Sequence, residues 1–219
     1  MKVTVTTQRL SLIGAITAAS LINLGCATNA QTGAGVGATI ACALAAANAP
    51  RGKAAEECAK YAIVGAAVGY WVGLQVDAQE AKVAAQRIKK SGGNDVDVAV
   101  RTRMVTVPAE ARGGALANTP AVEVLDEFVV SVPTSKLESG EAATFRQLAD
   151  AGGVVSKANR PHQVFVTAKS MPIAQTAVTA MQAGYTLPVQ AGKVQYTYAE
   201  ETRSPKTTVR IVPGPVRAG

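Results

Sequence analysis

Residues 61–90 read Y-A-I-V-G-A-A-V-G-Y-W-V-G-L-Q-V-D-A-Q-E-A-K-V-A-A-Q-R-I-K-K. Gly65, Gly69 and Gly73 recur at four-residue spacing, on one stripe of a helix. Glycine inside a helix costs about 1 kcal/mol relative to alanine, so three in register need a reason. Tyr61 to Val76 carries no charge, whereas a helix on an ordinary domain surface shows a polar face. The stripe is therefore expected to be a helix-packing face in a membrane or an oligomer, where small residues let backbones approach; close packing inside an ordinary fold is the alternative. Downstream the segment turns amphipathic, with Ala81, Ala84 and Ile88 on one face. Lys89 and Lys90 suit a helix C-terminus, and Ser91-Gly92-Gly93 ends the helix. Upstream, Lys53 begins it, supported by Glu56 and Lys60 in the favourable i, i+4 order.

A second uncharged run, Gly33 to Ala49, precedes this helix and carries a Gly33/Gly37 pair at the same spacing. Pro50-Arg51-Gly52 breaks the chain between the two runs, because proline cannot continue a helix and glycine frees the turn. Residues 26–93 are thus expected to form a glycine-rich helical hairpin ending in an amphipathic helix. Cys42 and Cys58 each lie eight residues from Pro50, which places both about 12 Å from the tip at 1.5 Å per residue. Ala41, Ala43, Ala59 and Ala62 would let the helices approach to disulfide distance. A Cys42–Cys58 disulfide is the expectation; two free thiols in a small-residue seam are the alternative. Each uncharged run spans about 25 Å as a helix, against a hydrocarbon core of about 30 Å. The hairpin is expected either to lie partly in a membrane, more easily a thin outer one, or to pack with copies of itself.

The chain begins as an export signal would. Lys2 and Arg9 are the only charges before Arg51, and Leu10 to Cys26 is an apolar stretch that ends in small residues. Leu24-Gly25-Cys26 resembles a lipoprotein cleavage box, which would make residues 1–25 a signal peptide and Cys26 the lipidated first residue. Asn23 departs from that motif. Thr28-Asn29-Ala30 offers ordinary cleavage before Gln31, and an uncleaved anchor is the third reading. All three export the chain to an oxidising compartment.

The 219 residues carry a net charge of +7, with aromatics at 4% and no basic run interleaved with them. That composition argues against nucleic-acid binding and fits a mildly basic surface near anionic lipid. Catalytic chemistry is not expected either. His162, the only histidine, is expected at the surface or a strand edge, and Cys42 and Cys58 lack the further ligands of a metal site. Asp126/Glu127 and Glu200/Glu201 are adjacent acids of solvated faces rather than an acid/base pair. The glycines lack the lysine and flanking strand of a phosphate loop. No enzyme activity, cofactor or metal is expected.

Beyond Gly93 the period changes to two. Val96, Val98 and Val100 alternate with polar residues and lead to an extended segment ending at Pro108, so residues 94–120 read as a strand and a linker. In residues 121–132, Val122, Val124, Phe128, Val130 and Val132 are expected on one face. A helix about Phe145 and Leu148, weakened by Gly152-Gly153, comes next. His162 to Ala168 reads as a strand, Ile173 to Ala183 as a helix, and Val194–Tyr198 and Thr207–Val212 as closing strands. The order β-α-β-α-β-β implies an α+β fold with helices on one face of a sheet.

G-A-A-V-G-Y-W-V-G followed by Q-V-D-A-Q-E-A resembles the glycine-zipper domains of bacterial envelope lipoproteins, over residues 33–90. Val155-Ser156-Lys157-Ala158-Asn159 before H-Q-V-F-V, Met181-Gln182-Ala183-Gly184 and T-V-R-I-V resemble parts of OmpA-like domains, over residues 121–219. The resemblance implies an N-terminal glycine-rich helical hairpin followed by a two-layer OmpA-like domain facing the periplasm. It implies location in the cell envelope, at the outer or the inner membrane. The partners it implies are membrane lipid, copies of the chain and other envelope proteins. Tethering of peptidoglycan is the alternative role. OmpA-like domains hold the cell-wall peptide with an aspartate after the central strand and an arginine on the next helix. Here those neighbourhoods read Lys169-Ser170 and Pro172, so binding through that pocket is not expected.

Overall fold

The computed structural model describes residues 29–50, 53–113, 116–157, 160–185 and 194–216. Cys26 and the leader lie outside the described residues, as do the turn residues Arg51 and Gly52. Helix α1 (Asn29–Asn48) and helix α2 (Ala54–Gly92) come first. Strands β1 (Asp97–Thr106) and β2 (Ala121–Pro133) follow, then the short α3 (Thr134–Glu138) and α4 (Ala142–Lys157). The chain ends with β3 (His162–Ala168), α5 (Met171–Gln182), β4 (Val194–Glu200) and β5 (Lys206–Pro213). The fold is α+β: helices, then a five-stranded mixed sheet in the order β1-β2-β5-β3-β4. All pairs are antiparallel except β3–β4.

Helix α2 joins the two parts. Its 39 residues span about 58 Å at 1.5 Å per residue. Glu56 and Glu57 sit in its first turn and Lys89 and Lys90 in its last, each opposing the helix dipole's charge at its end. Gly93 stops it at φ 59°, a conformation that costs glycine little. The first half of α2 packs against α1. The second half lays Ala78, Ala81, Ala84, Ala85 and Ile88 into the main core with Phe128, Val130, Val164, Val166, Val209 and Ile211 of the sheet. Lys82 Nζ, 2.6 Å from both carboxylate oxygens of Glu123, and Thr102 Oγ1, 2.6 Å from one of them, tie helix to sheet at the rim.

Two local features differ from the sequence expectation. The alternation in β2 breaks: Arg101 pairs with Glu127 and Thr102 with Leu125, leaving Asp126 as an extra residue. A one-residue bulge shifts the phase of a period-two pattern. Val122 and Val124 therefore leave the face of Phe128, Val130 and Val132 and join a second cluster around Trp71, Leu74, Val107 and Leu116. Helix α4 also runs unbroken through Gly152-Gly153 to Lys157. There α4 and α5 cross so closely that a Cβ on Gly152 would lie 1.8 Å from the Met181 carbonyl oxygen. One on Gly184 would lie 1.8 Å from that of Ala149. These glycines serve the crossing instead of ending the helix.

Candidate assembly surface

The hairpin is built on one close approach. Cys42 and Cys58 are bonded as a disulfide, with Cα atoms 4.0 Å apart. The amide of Lys53 donates to the Pro50 carbonyl at 3.0 Å across the tip. Lys60 is paired with Glu56 at 2.7 Å and Glu57 at 3.3 Å on the exposed side. At 100° per residue, Gly65 and Gly69 lie roughly 20° either side of the Cys58 direction, and Gly73 roughly 60° from it. That direction points at α1, and all three glycines are buried. Gly65 and Gly69 thus face the chain's own first helix.

Because the glycines face inward, larger side chains face out. Ile40 (55% exposed), Leu44 (61%), Tyr61 (53%) and Ile63 (74%) stand in solvent on the outer sides of the hairpin. Ile40, Leu44, Tyr61, Val64 and Val68 line an open groove of about 860 Å³, with Gly65 and Gly113 in its walls. Contiguous exposed apolar surface of this kind marks interaction sites on soluble domains. Among the described residues, no helix is long and apolar enough to cross a membrane.

At the other end of the molecule, the segment after β3 is occupied by the chain's own charges. Lys169 Nζ lies 3.7 Å from Glu138. Pro172 sits in the first turn of α5, and the amide of Met171 donates to Glu200 Oε1 at 3.0 Å. A carboxylate at a helix N-terminus satisfies an orphan donor and opposes the dipole. The place where an external carboxylate would dock on this helix end therefore carries Glu200 of the chain itself.

His162 is not at the surface. Strand β3 lies between β5 and β4, so its first residue is interior and only 2% exposed. Burial, then the neighbouring Arg160 charge, pushes the His162 pKa down to about 4. Its Nε2 has no hydrogen-bond partner. Arg160 is itself buried and donates to the Leu125 carbonyl at 2.5 Å and the Gly214 carbonyl at 3.0 Å. It thereby holds the backbone beside the β2 bulge against the last residues after β5. Arg160 and Glu200 escape a sequence reading, because each acts on backbone groups distant in the chain. Among the described residues, no group of His, Cys, Asp or Glu is arranged to hold a metal ion.

Neither a family model nor a curated protein nor a solved structure matches this chain.

Proposed function

We propose that this chain is a structural component of the bacterial cell envelope, exported, anchored through Cys26, and assembling with copies of itself and with other envelope proteins. The observation that carries the reading is the disulfide-closed hairpin whose glycines face inward and whose Ile40, Leu44, Tyr61 and Ile63 face solvent. A hairpin that satisfies its own small-residue seam leaves its outer apolar rows for partner chains or lipid. The disulfide fits an oxidising compartment. The order β2-α3-α4-β3-α5-β4-β5, in which α3 is a single short turn of helix, supports the OmpA-like reading of the C-terminal part. Glu200 on the first amide of α5 and Lys169 near Glu138 argue for protein contacts there rather than peptidoglycan binding.

The test is the mass of the detergent-solubilised full chain by light scattering, for wild type and for an Ile40→Glu/Leu44→Glu variant. Both positions are exposed, so the fold tolerates the change. The proposal expects an oligomer for wild type and at least a tenfold weaker association for the variant at equal helix content. Identical oligomer mass would refute assembly through the hairpin.

A further inference from the structure

The two edges of the sheet are built differently. Edge strand β1 carries Asp97, Arg101 and Arg103. Charges of this sort on an edge strand stop it from pairing with another chain. The opposite edge, β4, reads V-Q-Y-T-Y-A-E, with no lysine, proline or bulge, and pairs with β3 in unbroken register over its whole length. Only its last residue is charged. Thr197, Tyr198 and Ala199 are exposed, and Tyr198 is 37% accessible. Such an edge offers a row of backbone donors and acceptors to an incoming strand.

We infer that β4 pairs antiparallel with β4 of a second copy of this chain, about a two-fold axis through Thr197. The strand's own sequence argues for this occupant. In that register Thr197 faces Thr197 of the copy, Tyr196 faces Tyr198, and Gln195 faces Ala199. Threonine–threonine and aromatic–aromatic pairs are among the favourable cross-strand contacts, and no like charges oppose each other. The faces also match. Tyr196 and Tyr198 lie beside Val164 and Val166 in the register with β3, on the helix side. There Tyr196 Oη is 2.6 Å from Tyr185 Oη and accepts from Gln182 at 3.2 Å. Directly opposed residues of antiparallel strands share a face, so the two copies join into one ten-stranded sheet with α4 and α5 of both copies on the same side. Pairing β4 with β1 of another copy would build an open chain of molecules, and the charges along β1 oppose it. The β4 pairing closes as a dimer. This surface is separate from the hairpin groove and does not depend on it.

Site-specific disulfide trapping tests the inference in the full chain, with Cys26→Ser to remove the third thiol. Opposed residues lie about 4.5–5.5 Å apart between Cα atoms in an antiparallel pair, within disulfide reach. Thr197→Cys should form a covalent dimer under mild oxidation at least tenfold faster than Met104→Cys on the other edge. A mixture of Gln195→Cys and Ala199→Cys chains should cross-link to each other and not to themselves, which reads the register should Thr197→Cys fail to fold. Trapping of Thr197→Cys no faster than Met104→Cys, with unchanged circular dichroism, overturns the pairing. Gln195→Cys and Ala199→Cys chains that link to themselves as readily as to each other overturn the register and its two-fold.

Discussion

Acid should weaken this protein through one side chain, His162. The imidazole is 2% exposed and its pKa falls from 6.5 to about 4 through burial and the adjacent Arg160. In the unfolded chain it binds a proton below about 6.5, while in the folded chain it stays neutral down to about 4. Between those values the unfolded state holds more protons, so stability falls as the pH is lowered. A difference of about 2.5 pKa units at about 1.36 kcal/mol each gives a loss of about 3 kcal/mol by pH 4, an order-of-magnitude figure. The loss should set in near pH 6.5, well above the carboxylate range. Glu123, whose carboxyl is held below its usual value chiefly by the hydrogen bond from Lys82, adds its own loss only at lower pH. The assay is urea unfolding at half-unit steps from pH 7.5 to 4, for wild type and for His162→Leu. The wild-type midpoint should fall steadily below pH 6.5, and the variant's should stay nearly flat down to pH 5. A variant with the same slope between pH 6.5 and 5 would show that His162 is not the titrating group.

Gly152→Ala should destabilise by 3 kcal/mol or more, beyond the usual range for overpacking of about 1–3 kcal/mol, since its Cβ would meet the Met181 carbonyl oxygen at 1.8 Å. Gly153→Ala, whose Cβ finds its nearest atom at 3.7 Å, should instead be neutral or stabilise by up to about 1 kcal/mol, and thermal melts of the pair separate the two effects. Paired Cys42→Ser/Cys58→Ser substitution opens a link between residues 16 apart in sequence and should lower hairpin stability by about 3 kcal/mol in the chain-entropy model. Faster hydrogen exchange confined to α1 and the first half of α2 is the expected readout.

The layout was legible where apolar period and punctuation agreed. The uncharged run of 61–76, the break at Pro50-Arg51-Gly52 and the equal offsets of Cys42 and Cys58 are local signals, and a disulfide-closed hairpin stands there. The alternating valines of 96–107 and 121–132 likewise became strands. What stayed hidden depends on contacts distant in sequence. Gly152-Gly153 looks like a helix breaker until Met181 is known to press against it. The bulge at Asp126 is invisible in a run of alternating valines, yet it sends Val122 and Val124 to a different core. His162 reads as a strand-edge residue because only the sheet order, with β5 and β4 either side of β3, makes it interior. The glycine stripe reads in the sequence as a face for a membrane or an oligomer, and only the hairpin's geometry turns Gly65 and Gly69 toward α1.

We propose that Cys26 holds this chain in the envelope, with the hairpin and the α+β part beyond it. Intact mass spectrometry of the chain from fractionated cells tests it most directly, since one mass reports cleavage, lipid and compartment together. Anchoring through Cys26 predicts a membrane-fraction species that begins at Cys26 and carries acyl chains, replaced by an unacylated form in Cys26→Ser. An unmodified chain that begins at Gln31, or an uncleaved chain in the soluble cytoplasmic fraction, would contradict it.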